Sequence, residues 1–428
     1  MKTKLVKLLA LILAALTLFT ACAVRTSPDT SSTELSEEYT YTYTDSEETD
    51  VYVLTETSSQ TEESELFSNR DLSGDYDSSE AVIVTLNGAS AQASSDSVQI
   101  GDGAVTITAA GTYILSGDYE GSIIVSATKD DKVQLVLDGV SIASGDYAAI
   151  YVAQADKVFL TLAEGSENTL SNGGSFTQRD DSNVDAVIFS RDDLTLNGTG
   201  TLRVTSPAGH GIVCTDELVI TGGVYEIGAA TTAIRANDAI AISDGSFTLA
   251  AYSDGLHAEN SDDDTLGSIY ISGGDFRISV SDDAIHATAL VQIDGGSFEI
   301  QAAEGIEGTY VQINDGEINI TASDDGINAA YKSSACTPTV EITGGSVAIS
   351  MGAGDTDGID SNGDVIISGG TVDITGNSTV DYDGSAQLTG GTLTVNGQQV
   401  TTIPNQMMGG MGGGMGNMGG RGGKGFPG

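Results

Sequence analysis

Tryptophan is absent from the 428 residues, and basic side chains are scarce: 16 Lys and Arg stand against 61 Asp and Glu, for a formal net charge of −45. Without tryptophan, no ligand platform of indole rings can be built. Without a basic patch or stripe, nucleic acid and anionic lipid surfaces are excluded as partners, since both are held through clustered cations. The acidic excess favours divalent cations instead. There are three cysteines, Cys22, Cys214 and Cys336, too few for a disulfide framework. Cys214 and Cys336 lie several repeats apart, too far to bridge. Cys214 alternates with Ile212 across Val213 and reads as a buried core thiol. No apolar run is long enough to span a bilayer comfortably: the longest covers residues 8–19.

That run belongs to a targeting segment. Lys2, Lys4 and Lys7 precede it, and it ends in Phe19-Thr20-Ala21-Cys22, similar to a bacterial lipobox with Phe in place of Leu. Residues 1–21 are therefore expected to be a lipoprotein signal peptide, with cleavage before Cys22 and lipidation of its thiol. An ordinary secretory signal followed by an unrelated cysteine is the alternative. Loss of the three lysines takes the charge from −45 to −48. Residues 22–80 are rich in Ser, Thr, Asp and Glu, and too poor in apolar residues to offset ordering entropy, so they read as a disordered acidic tether. Residues 405–428 form a flexible Gly/Met-rich tail. Its five Met could hold a soft ion such as Cu(I), although no Cys or His accompanies them.

Between these ends one phrase recurs: acid-Gly-Ile-polar, an alternating strand, and a Gly-Gly turn. It stands at Asp254-Gly255-Leu256-His257, Asp283-Ala284-Ile285-His286, Glu304-Gly305-Ile306-Glu307, Asp325-Gly326-Ile327-Asn328 and Asp357-Gly358-Ile359-Asp360. The steps from Ile285 to Ile306 and from Ile306 to Ile327 are both 21 residues. A fixed period of this size means stacked repeats, each too thin to bury its own apolar face. Each holds three short runs of alternating hydrophobicity, which suits one coil of a parallel β-helix. Residues 81–404 are thus expected to be all-β, a single-stranded parallel β-helix solenoid of about 21–22 residues per coil. An antiparallel sandwich would not keep a fixed repeat. A calcium-binding nonapeptide roll would need a shorter period. Two inward ladders follow from the spacing: Ile220, Ile242, Ile271, Ile293, Ile313, Ile342 and Ile367, and Tyr225, Phe247, Phe276, Phe298, Ile318, Val347 and Val372.

Stacking would superpose the acids Asp254, Asp283, Glu304, Asp325, Asp357 and Asp383, flanked by Asp282, Asp324 and Asp355. The next polar position adds His257, His286, Glu307, Asn328 and Asp360. Carboxylates roughly 5 Å apart repel and raise one another's pKa, a cost that a bound cation removes. Oxygen donors suit Ca²⁺ better than Zn²⁺ or Cu²⁺. The metal candidates are therefore Asp254, Asp282, Asp283, Glu304, Glu307, Asp324, Asp325, Asp357 and Asp360. Asp-Gly is also ordinary turn chemistry, which explains single pairs but accounts less well for Asp-Asp and the Glu304/Glu307 repeat. A Zn²⁺ site on His257 and His286 is a further option, although polar residues facing a groove is the simpler reading. The step from Leu256 to Ile271 is 15 residues, as is that from Ile327 to Ile342, against 8 from Ile285 to Ile293. Loops 259–268 and 330–339 should then leave at one corner, about 14 Å apart at the strand spacing. They would wall a groove over Asp283 and Glu304.

The chain resembles secreted bacterial carbohydrate-binding proteins built on a polysaccharide-lyase-like, right-handed parallel β-helix. The resemblance covers about residues 81–400. It rests on the run Arg191-Asp192-Asp193-Leu194-Thr195-Leu196-Asn197-Gly198-Thr199-Gly200-Thr201-Leu202, on the strand pair around Leu135-Val136-Leu137-Asp138-Gly139-Val140, on the repeated Asp-Gly-Ile and on the Gly-Met tail. It implies an extracellular, calcium-bearing binder of plant-type polysaccharide, acidic glycans included. His210-Gly211-Ile212 and Thr232-Ala233-Ile234 depart from Asp-Gly-Ile, so the calcium column is not extended above Asp254.

The reading that results is calcium-dependent, non-catalytic polysaccharide binding by a cell-surface lipoprotein. Outward Tyr270 and Tyr310, with His257 and His286, are its carbohydrate-binding candidates, and Tyr252 and Tyr331 are further aromatics. No catalytic residue is assigned. A pectate-type lyase on the same fold is the alternative, with Arg235 the one plausible base near the acids; its guanidinium would need a large pKa shift. A polygalacturonase-like hydrolase fits less well, because acids spread over five repeats do not form one acid/base pair. A structural cell-surface spacer is the third class.

Overall fold

The computed structural model describes residues 66–352 and 356–405. The period-two alternation resolves into short strands, which form an all-β structure of two sheets with 23 and 13 strands. The helical segment among the described residues is one turn, Asn69–Leu72.

The inward ladders fall in the register that the spacing predicts. Tyr225 pairs with Phe247, Phe247 with Phe276, Phe276 with Phe298 and Phe298 with Ile318. Parallel strands superpose like on like, so the rings stack. Phe247 and Phe276 have centroids 4.6 Å apart and planes 3° from parallel, and Phe276 and Phe298 are 4.6 Å apart at 2°. These rings belong to one apolar core that runs from Val84 to Leu393 and Ile403.

The strand architecture differs from the expected right-handed, single-stranded parallel β-helix of 21–22 residues per coil. Six strands, Lys132–Ser144, Lys157–Leu162, Asp193–Gly198, Glu217–Ala229, Thr201–Ser206 and Glu167–Asn172, close a ring of parallel pairings, with the other strands of that sheet outside it. The reason lies in the bends. Glu217–Ala229 continues as one strand through Gly222 and Gly223, with a register shift there, so two expected strands merge into one. Such a strand bonds one neighbour through its first half and another through its second. Val82–Gly88 with Ser90–Ala93, Val98–Gly101 with Ala104–Ile107, and Thr392–Val395 with Gln398–Val400 are antiparallel. The step is not constant either: Ile306 to Ile327 is 21 residues, while Ile150 to Ile188 is 38.

Residues 66–80, assigned to the tether by composition, lie on the larger sheet as a strap. Ser68 caps the helical turn in a reciprocal capping box with Asp71. Asp71 is buried and sits 2.7 Å from Lys157 Nζ, and it accepts a hydrogen bond from Thr195 Oγ1 at 2.6 Å. Phe67 packs on Tyr270, and the Arg70 guanidinium lies 4.3 Å from the centre of the Phe159 ring. The strap is acidic, but each anchor meets a partner on the sheet. Cys22, the rest of the tether, Asp355 and the Gly/Met tail lie outside the described residues.

Candidate functional site

The 13-stranded sheet carries the acid column. Its strands Leu256–Ala258, Asp283–Ala287, Glu304–Gly308, Ile327–Ala329 and Ile359–Ser361 pair in parallel, with Leu256, Ile285, Ile306, Ile327 and Ile359 directly opposed and buried. The acids enter these strands two residues before the buried Ile. Glycine follows four of the five, Ala284 being the exception, because neighbouring backbones approach closely. A Cβ on Gly305 would sit 2.3 Å from Gly326 O, and one on Gly326 would sit 2.4 Å from Gly358 O. The outward ladder reads Arg235, His257, His286, Glu307, Asn328, Asp360 and Asp381.

Two clusters form on this face. Asp254, Asp282 and Asp283 each place a carboxylate oxygen within 4.8 Å of the others, and so do donor atoms of Asp283, His286 and Glu307. His257 Nδ1 is 2.8 Å from Asp254 Oδ2, and Thr232 Oγ1 donates to the same oxygen at 3.2 Å. His286 Nδ1 is 2.6 Å from Asp283 Oδ2 and 2.8 Å from Glu307 Oε2. Lys332 Nζ completes the group at 2.9 Å from Glu307 Oε1.

These contacts divide the column by charge. Burial disfavours an imidazolium at His286, but the hydrogen bonds to Asp283 and Glu307 prevail and raise its pKa to about 9. Burial likewise opposes ionisation of Glu307, yet His286 and Lys332 hold its pKa well below the usual range. Further along, compensation fails. Burial, then repulsion from Glu307, pushes Glu304 up to about 8, although Asn328 Nδ2 donates to it at 3.0 Å. Burial, partly offset by a hydrogen bond from the Asp357 backbone, raises Asp325 to about 6. Burial, then Asp357 and Asp381, raises Asp360 to about 6.

The structure places other sequence candidates differently. Asp324 is exposed beside Asp325. Asp383 does not continue the acid column: Val380 opposes Ile359, so the column position falls to Ser378, whose hydroxyl donates to Asp357. Tyr270 and Tyr310 do leave the inner core, but they are only 8% and 1% exposed. Phe67 of the strap covers Tyr270. Tyr310 lies beside Cys336 of loop 330–339 and donates to Glu341 Oε2 at 2.6 Å. Neither offers a ring face to a sugar. Tyr252 and Tyr331 remain open, at 77% and 71% exposure.

The two inserted loops do not stand apart as walls. Asp264 accepts hydrogen bonds from Ser334 N and Ser334 Oγ at 3.1 and 2.9 Å, so the loops join across the intervening repeats. They leave the far ends of the strands that the acids enter, and loop 330–339 reaches the acid column through Lys332. Sequence reasoning missed Lys332, Thr232 and Ser378 as members of the site. The spacing held a signal for Thr232 and Ser378, which occupy column positions. It held none for Lys332, which arrives from a loop.

A family model for carbohydrate-binding domain-containing proteins matches residues 101–309 and 304–401. The chain belongs to this family. A member from Acetivibrio thermocellus, a carbohydrate-binding domain-containing protein, is 35% identical over 208 residues, covering 48% of this chain and 73% of the relative. Among solved structures, a polysaccharide lyase-like protein from C. thermocellum, determined as a gadolinium derivative, is 27% identical with a TM-score of 0.36. That match covers 74% of this chain and 96% of the other.

Proposed function

We propose that this family member binds polysaccharide through calcium, without cleaving it, at a cell surface to which lipidated Cys22 anchors it. One observation carries the reading: the carboxylates of Asp254, Asp282 and Asp283 converge within 4.8 Å. Three hard oxygen donors suit Ca²⁺, whose coordination sphere has room left for uronate oxygens and water. The neighbouring Asp283–His286–Glu307 group fits a second dication poorly, because a protonated imidazole and Lys332 already balance it. Calcium on Asp283 would let an acidic glycan approach an acidic face by bridging the two sets of carboxylates. The non-catalytic part rests on the bases nearby. Lys332 is already paired with Glu307 at 2.9 Å.

The test is retention of the full chain on immobilised polygalacturonate. Retention in 1 mM calcium that is lost in chelator supports the reading. Equal behaviour in both conditions overturns calcium dependence, and release of unsaturated products absorbing in the ultraviolet overturns the non-catalytic part.

A further inference from the structure

A cleft of about 750 Å³ lies on the larger sheet, away from the acid column, between the strap and a row of bends. Leu72, Gly74, Asp75 and Tyr76 of the strap form one side. The other side is built from consecutive repeats: Ala163 and Glu164, then Gly198 and Thr199, then Gly222 to Val224, then Asp244 to Ser246, and finally Asp275. The strand registers set these bends one above another. The strap fits closely at one point, where a Cβ on Gly74 would lie 3.0 Å from Gly198 Cα. Neither acid-column chemistry nor core packing accounts for this space.

Three observations define what it would hold. Of the seven large hydrophobic side chains exposed among the described residues, Leu72, Tyr76 and Val224 all line this cleft. Four acidic residues line it, Asp75, Glu164, Asp244 and Asp275, and among the described residues no Lys, Arg or His does. Glycine-rich bends leave backbone uncovered by side chains. An apolar and aromatic wall facing hydrogen-bond acceptors is the lining that a sugar needs, since a pyranose has an apolar face and a rim of hydroxyl donors. The carboxylates without a cation repel a uronate. The row of bends has the strand spacing, roughly 4.8 Å, which is close to the advance of an extended glycan per ring, so successive rings meet equivalent positions.

We propose that this cleft is a second carbohydrate site, for a short neutral oligosaccharide, and that it works without metal. The proposal rests on the carbohydrate-binding reading above but uses none of the residues of the calcium site. It gives the two faces different ligands: acidic glycan through calcium on one, neutral glycan through Tyr76 and carboxylates on the other. The strap then has a role beyond leading the chain to its anchor, since it supplies one wall.

Titration calorimetry of the full chain with cellotriose, xylotriose and mannotriose, in 1 mM EDTA, tests this. At least one should bind saturably. Tyr76→Ala and Asp275→Asn should each weaken binding about tenfold or more, and Val224→Arg should abolish it by filling the cleft. These side chains are exposed, so melting temperatures should stay with the parent. Ile100→Ser, an exposed apolar residue outside the cleft, should bind like the parent. Equal affinity in the parent and the cleft variants overturns the proposal. So does binding of none of the trisaccharides, or binding that needs calcium. If trisaccharides fail while polygalacturonate is retained in calcium, the cleft is wrong and the calcium reading stands. If they bind and polygalacturonate is not retained, the reverse holds.

Discussion

His257 and His286 stack face to face, with ring centroids 4.5 Å apart and planes 2° from parallel. Their strands oppose them in register, and each Nδ1 is held by the aspartate three residues earlier, at 2.8 Å from Asp254 and 2.6 Å from Asp283. The imidazoles thus sit beside the carboxylates that would take a metal, and the charge on His286 opposes it.

His286→Ala should therefore tighten calcium. A unit charge and a dication about 4 Å apart interact by about 2 kcal/mol in water, so affinity should rise by up to roughly thirtyfold at pH 7. The same variant should melt lower in chelator, because Asp283 and Glu307 lose their shared partner. Calcium titration of parent and variant checks the first part, and unchanged or weaker affinity contradicts it.

Stability in chelator should fall as pH rises from about 5 to 9. Glu304, Asp325 and Asp360 have raised pKa values, so their contribution is complete below the unfolded value near 4 and is lost as pH passes about 6 and then about 8. His286 acts in the same direction, complete below about 6.5 and lost as pH passes about 9. Asp254 and Glu307 have lowered values and act oppositely, their contribution being lost in acid. Calorimetric melting temperatures from pH 4 to 9 should peak near pH 5. Calcium on Asp254, Asp282 and Asp283 should raise the melting temperature, since by mass action at 100 times its Kd it adds about 2.7 kcal/mol. A flat profile in chelator contradicts this.

Phe276→Ala should cost about 3–5 kcal/mol in urea unfolding, because it opens a cavity between two stacked rings. Phe276→Leu should cost less, by keeping most of the volume. Equal losses would mean that the ring stack adds nothing beyond filled space.

Asp71→Ala should release the strap more than it unfolds the sheets. It strands Lys157 and removes the acceptor of Thr195 Oγ1. Cleavage of residues 66–80 in limited proteolysis should accelerate, while the main unfolding transition moves little. Unchanged cleavage would show that Phe67 and the backbone contacts hold the strap alone.

Parts of the structure were legible from periodicity. Parallel stacking of like on like depends only on equal spacing, so the Tyr225–Phe247–Phe276–Phe298 ladder and the opposed His257 and His286 could be read directly. Spacing cannot say whether a Gly-Gly bend ends a strand. It does not do so in Glu217–Ala229, and the closed ring of six strands follows. Nor can spacing say what lies over an outward residue, and that is where Tyr270 and Tyr310 were misread. Phe67 is 203 residues from Tyr270, and Ser334 is 70 from Asp264.

The sequence by itself determined the all-β character, the inward columns and the acid-Gly-Ile ladder, because alternation and repeat length are local properties that parallel pairing carries across the sheet. Tertiary structure decided the charge balance along that ladder and the coverage of the outer faces. Lys332 comes from a loop, the strap from the chain's acidic beginning, and the cleft beneath it from five bends. Each depends on surfaces meeting at long range, and burial there, more than composition, sets which carboxylates keep their protons and which aromatic rings stay open to a ligand.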